Sequence, residues 1–247
     1  MTGLLLFLAG VLGGAMNSLA GGGSTPTYAA LVFVGVPPIS AIATNTLAVI
    51  PGYISGLIGF RPDWRPLFSS LVWQLPLAVI GGFIGAKLLL ATPENLFRAL
   101  VPWLLLFATV IFYTGPQNRK IKTRINIVLA PVILIMIFTY GGYFGAGLGI
   151  IMLATLSLLG FDQIAKMNGV KLIFSIANAT AAATLFIQAD MIDWQAWIMV
   201  VLGLIVGAYS AARLALRLTQ TTLRYVVTGI SLSVTTYFFI DYYLLTP

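Results

Sequence analysis

From Met1 to Phe60 the chain carries no Asp, Glu, Lys or Arg. One helical crossing of the ~30 Å hydrocarbon layer takes about 20 apolar residues, so this run alone predicts two or three passages. Charge-free runs recur over 66–86, 99–118, 125–161, 172–189, 194–212 and 225–240. They are continuously apolar and rich in Leu, Ile, Ala and Gly, without the alternation an outer-membrane barrel requires. The pattern predicts an all-α, polytopic membrane bundle with roughly eight crossings.

The chain also resembles itself. At an offset of about 125, Gly22-Gly23-Ser24 to Gly35 lies over Gly147-Leu148-Gly149 to Gly160. At an offset of 126, Gly81 to Lys87 lies over Gly207 to Arg213, and Arg98 over Arg224. Matched cations in apolar surroundings point to a duplicated unit. The expected halves are 1–114 and 127–247, joined by a linker at 115–126. Each half reads as a first span (3–20, taken as a retained span; 127–145) and a short glycine-entered segment (24–35; 147–160). Three longer helices follow in each (38–59, 66–91, 96–114; 162–187, 193–216, 221–241). A dozen helical residues rise only ~18 Å, so the short segments are either re-entrant or parts of broken helices. If both turn back, each half has four crossings and the repeats are parallel; if both cross, five, and the repeats are inverted.

Composition narrows the functions. Hydrophobic residues make up 60% of the 247 and charged residues 8%, a balance no water-soluble domain could bury. The chain has neither Cys nor His, which removes disulfides, thiolate and imidazole metal ligands and histidine-dependent catalysis. Neither a metal nor a cofactor is expected. The net charge of +7 comes from cations placed singly at span ends, plus Arg119, Lys120, Lys122 and Arg124 in the linker. This distribution predicts a cytoplasmic linker and no nucleic-acid partner.

Glycines 21, 22 and 23, followed by Ser24, Thr25 and Pro26, read as flexible backbone leading into a helix start, with Ser24 or Thr25 as cap. Main chain freed from helical pairing is tolerated in a bilayer only where it is buried in protein or lines a polar cavity. A helix N-terminus turns N–H groups toward an anion. The competing reading, that the glycines only allow close helix packing, loses ground because Gly145, Gly147 and Gly149 repeat the pattern. Thr44 and Asn45 in the next helix, aligned with the region of Asn168, are expected to face the bundle interior. Asp162 is expected to cap a helix. Lys171 opens an 18-residue charge-free stretch, with Asn178 two turns further along the same face. An ammonium inside a membrane helix marks a functional site unless it snorkels to the interface, and Asp162 nine residues earlier leaves that alternative open. GGGST lacks the Gly-Lys-Ser/Thr ending of a phosphate-binding loop, and Ser24 has no histidine to activate it as a nucleophile.

The stretch AGGGSTPTYAALVFVGVPPISAIATNTLAVIPGYISGLIGFR resembles the first signature of the TauE/SafE, or sulfite exporter, family of membrane transporters. GGYFGAGLG through GLIVGAYSAARLALRL, with Lys171 and Asn178, is similar to its second. Thr27-Tyr28, Phe174 and Ala177 depart from the family pattern. The resemblance implies a multi-pass permease of the bacterial inner membrane for sulfite, sulfonates or related small anions.

The expected site comprises Gly22, Gly23, Ser24, Thr25, Thr44, Asn45, Gly147, Gly149, Asn168, Lys171 and Asn178, alternately exposed by motion of one half against the other. Expected partners are the bilayer and a small anion, with a homodimer left open. An inside-negative potential drives a monoanion outward, by ~2.3 kcal/mol per charge per 100 mV, so export needs no coupled ion. Proton-coupled import and a non-transporting scaffold remain as rivals. An intramembrane enzyme is disfavoured by the missing His, Cys and paired acids.

Overall fold

The structure, a computed structural model, describes residues 1–19, 21–59, 64–114, 130–159, 161, 164–214 and 220–245. Among the described residues there are eleven α-helices and no strand. The first six are α1 (Thr2–Leu19), α2 (Ser24–Phe33), α3 (Pro38–Gly59), α4 (Arg65–Leu71), α5 (Leu75–Ala91) and α6 (Glu94–Thr114). The others are α7 (Ala130–Tyr143), α8 (Leu148–Leu158), α9 (Ile164–Gln188), α10 (Trp194–Leu214) and α11 (Gln220–Ile240). Six described stretches are long and apolar enough to cross a membrane: Thr2–Leu19, Pro38–Gly59, Arg65–Ala91, Glu94–Ile111, Lys166–Gln188 and Trp194–Arg213. The linker and its four cations, and the expected cap Asp162, lie outside the described residues.

The segment expected as one helix over 66–91 is interrupted by a 3₁₀ turn at Val72–Gln74. Pro76, in the first turn of α5, supplies the reason. It has no N–H to donate, and its ring would strike the carbonyl four residues back, at Val72. Pro51 and Pro102 sit inside α3 and α6 without ending them. The short segments are separate helices of 10 and 11 residues, rising ~15–17 Å, about half the hydrocarbon thickness.

Polarity is arranged inside out. Asn17, Ser24, Thr27, Asn45, Asn168, Lys171 and Asn178 are buried, while Leu4, Leu8, Ile58, Val79, Phe107, Met136 and Leu202 are exposed. In lipid this is the stable arrangement, because side-chain polar groups find partners only within the bundle.

Helices α3 and α9 pack on each other at the centre. Around them α1 runs along α10 and α5 along α7, while α10 covers α3, α5 covers α9, and α6 packs on α11. Helix α2 touches α1, α3 and α11; helix α8 touches α7, α9 and α6. Exchanging α1, α2, α3, α5 and α6 with α7, α8, α9, α10 and α11 turns each of these contacts into another on the same map.

Glycines bring the long pairs together. A Cβ on Gly10 would stand 2.5 Å from the Val200 carbonyl oxygen and 3.0 Å from Gly203 Cα, and one on Gly207 would run into the Val11 carbonyl. Across α5 and α7, a Cβ on Gly142 would meet Gly82 Cα at 2.7 Å, and one on Gly85 would run into the Thr139 carbonyl. Without a hydrophobic drive between helices in lipid, such backbone approach is what gains contact area.

Candidate functional site

The two loosened stretches touch each other. Gly21 (φ +93°) and Gly145 (φ +74°) each stand three residues before the first residue of a short helix, and Gly147 (φ +83°) caps α8. All three occupy the left-handed region that excludes most side chains. A Cβ on Gly21 would lie 2.7–2.8 Å from main-chain atoms of Gly149, and one on Gly149 would lie 2.8 Å from Gly21 Cα. The same position on Gly149 is 3.1 Å from Lys171 Cδ. A main-chain crossing without side chains therefore lies beside the lysine stem.

Neither Ser24 nor Thr25 caps α2, contrary to the sequence expectation: Gly23 is the cap residue, and no side chain bonds there from within the turn. The work falls to Asn17 of α1, whose Oδ1 accepts the Gly23 N–H at 2.8 Å. The Gly21 N–H donates to the Met16 carbonyl at 2.9 Å, which closes the end of α1. Two amides of the first stretch are thus satisfied within the protein.

Lys171 is 1% exposed. Its Nζ donates to the Asn17 carbonyl oxygen and to Asn168 Oδ1, both at 2.9 Å. The amine is held within the bundle and does not snorkel. Among the described residues no carboxylate pairs with it. Two neutral oxygens orient the amine and no countercharge stands beside it, so a proton on it is costly in this apolar surrounding.

Asn168, Lys171, Ser175 and Asn178 recur at three- and four-residue spacing, which aligns them on one face of α9. Ser24, Asn45, Thr46, Tyr53, Ser175 and Asn178 line a cavity of about 10 Å³ between α2, α3, α9 and the loosened stretch before α8. This volume suits one water at most, so the bundle is closed on its centre. Thr27 Oγ1 lies 2.6 Å from Asn45 Oδ1, the nearest of three acceptors within reach of its single proton, the others being the Gly23 and Ser24 carbonyl oxygens at 3.2 and 3.1 Å. Asn178 Nδ2 bridges the Ala78 and Phe138 carbonyls at 3.0 and 2.8 Å, tying α9 to α5 and α7.

Ser24, Asn45 and Asn178 therefore meet at the cavity, Asn168 and Lys171 sit about three and two turns before Asn178 on the same helix, and Gly149 lies beside the lysine. Gly22 and Thr25 are buried in the turn entering α2, where the Thr25 N–H points to the Gly22 carbonyl at 3.4 Å. Gly147 packs against Ala108 of α6. Thr44 stands elsewhere: its Oγ1 accepts the Asp193 N–H at 2.9 Å, at the turn into α10. Asn17, Ser175 and Tyr53 went unread in the sequence. Ser175 was within reach of the helical spacing from Lys171, whereas nothing in the sequence places Asn17 against residues 150 positions away.

Helices that bury their polar groups, expose their apolar ones and cross at a polar centre mark a multi-pass membrane protein. Residues 6–238 match the family described as "Sulfite exporter TauE/SafE", and the chain belongs to that family. A "Probable membrane transporter protein" of Haemophilus influenzae is 27% identical over 239 residues, 94% of this chain and 92% of that protein. The "Probable membrane transporter protein YfcA" of Escherichia coli K12 is 28% identical over 235 residues, 94% and 87% of the two chains. A "Probable membrane transporter protein ORF9" of Sinorhizobium sp is 27% identical over 218 residues, 85% and 82%. No solved structure matches the chain significantly.

Proposed function

We propose that this transporter is a permease exporting a small anion, such as sulfite, an organosulfonate or a related oxyanion, across the bacterial inner membrane, with no enzymatic step. The observation that carries the reading is the buried Lys171 amine, held by two neutral oxygens beside the crossing of Gly21 and Gly149, with no described carboxylate against it. An anion entering there would supply the missing countercharge, and the fixed carbonyls would keep the ammonium aimed. The four described acids, Glu94, Asp190, Asp193 and Asp241, stand at helix ends. That placement supplies no proton relay through the described bundle and favours export driven by the membrane potential, ~2.3 kcal/mol per charge per 100 mV.

In the same reading the chain is a duplication, with residues 1–114 and 127–247 as equivalent halves. The exchange of helix contacts between the halves supports it, as does the placement of Gly21 and Gly145 before their short helices. Rocking of one half on the other would open the closed centre to each side in turn. The test is release of labelled sulfite from liposomes holding only this protein, under an imposed inside-negative potential. Release by the wild type and its loss in a folded Lys171→Met variant support the reading. No release by the wild type, or full release by the variant, overturns it.

A further inference from the structure

A second and much larger cavity, of about 200 Å³, lies apart from the lysine centre. It is bounded by the end of α2, the turn into α3, the first turns of α6 and the end of α11, and Tyr28, Val36, Arg98, Val101, Phe238 and Asp241 are among its walls. Its volume equals roughly six or seven waters, at ~30 Å³ each. The lining combines a guanidinium with apolar side chains, the mixture that holds an organic ion by its head and its body at once.

Tyr28 carries the second observation. Its side chain is 1% exposed, and its hydroxyl has no hydrogen-bond partner among the described residues. A buried hydroxyl left unpaired costs free energy, and this one is shut behind the cavity wall, so a small shift of the wall that lets a ligand oxygen accept its hydrogen bond would recover that cost. The ring stacks on Phe238 at 5.5 Å and meets Phe144 edge-on at 5.9 Å. Phe144 directly precedes Gly145, which lines the small central cavity. Ser24, one helical turn before Tyr28 on α2, lines that cavity too. One face of a short helix thus separates the two spaces.

We propose that the 200 Å³ cavity is an outer docking site for an organic monoanion of a few carbons, sulfonate or carboxylate, whose head takes hydrogen bonds from Arg98 and the Tyr28 hydroxyl, and that the Tyr28 ring partitions it from the lysine centre. Asp241 stands on the same wall, which weighs against a second negative charge on the ligand. The role as a way station rests on the permease reading; the binding itself does not.

The test is calorimetric titration of butane-1-sulfonate and of butanoate into the full chain in nanodiscs, beside liposome flux of the same solutes. Arg98→Gln is expected to weaken binding about tenfold or more, as loss of a charge-assisted pair does. Tyr28→Phe, which keeps the ring contacts, is expected to weaken it about threefold to tenfold. Arg98→Gln should also raise the KM for flux by a factor similar to its loss of affinity. No binding by the wild type overturns the docking site, as does unchanged affinity in both Arg98→Gln and Tyr28→Phe. Arg98-dependent binding without any wild-type flux would keep the docking site and remove the permease reading. Flux with unchanged affinity in both vestibule variants would do the reverse.

Discussion

Gly21 and Gly149 meet main chain to main chain, so close that a Cβ on either would come within 2.8 Å of the other's backbone. The two residues are far apart in sequence and precede or open the two short helices. Lys171 Cδ passes beside the same point. The crossing therefore brings both loosened stretches to the buried Lys171, and a change there acts on packing and on the proposed anion centre together.

Gly149→Ala should be costly despite the usual gain of alanine in a helix. The added methyl meets Gly21 Cα at 2.8 Å and the lysine stem at 3.1 Å, and only the stem can yield. We expect a loss of about 1–3 kcal/mol, read as a fall in Tm of the detergent-solubilised protein, together with reduced flux. Wild-type Tm and flux would show that the crossing opens without cost.

Asn17 separates a structural role from an electrostatic one. Asn17→Ala leaves the buried Gly23 N–H without its acceptor, at a cost of about 1–3 kcal/mol. Asn17→Asp keeps that acceptor while placing a carboxylate on the residue whose carbonyl holds Lys171. It should fold like the wild type yet lose at least about tenfold in sulfite affinity, because the ammonium gains an internal countercharge. Unchanged affinity in Asn17→Asp would detach the lysine from anion binding.

Thr44 is expected to matter for stability alone. Thr44→Ala removes the acceptor of the Asp193 N–H and should cost about 1 kcal/mol. Flux and affinity should stay within about twofold of the wild type. A tenfold rise in KM at unchanged Tm would restore Thr44 to the site.

The helix-packing glycines give a contrast within one residue type. Gly207→Val drives a branched side chain into the Val11 carbonyl and should abolish recovery of folded protein. Gly229, which has open space around its Cβ position and lies within α11, should accept alanine with Tm unchanged or raised, by about 0.5–1 kcal/mol in stability. Equal tolerance at both positions would refute the close approach of α1 and α10.

Much of the architecture was legible from patterning, because lipid demands that each span satisfy its own backbone and stay apolar for about 20 residues. That demand made the long helices readable, with the short helices marked by their glycines. The break at Val72–Gln74 was foreshadowed by Pro76 but unread, since a continuous apolar run masks a local change of hydrogen bonding.

The site divided differently. Lys171 announced itself by sequence, since an ammonium amid apolar residues has few inexpensive explanations. Only the tertiary structure decided which oxygens hold it, that Thr44 serves a distant turn while Asn45 faces the central cavity, and that Asn17 does the capping expected of Ser24. The reason is physical: burial of an apolar run is a property of the run itself. A polar group inside a membrane, by contrast, is defined by whichever partner folding places within 3 Å, and for Lys171 and Asn17 that partner lies 154 residues away.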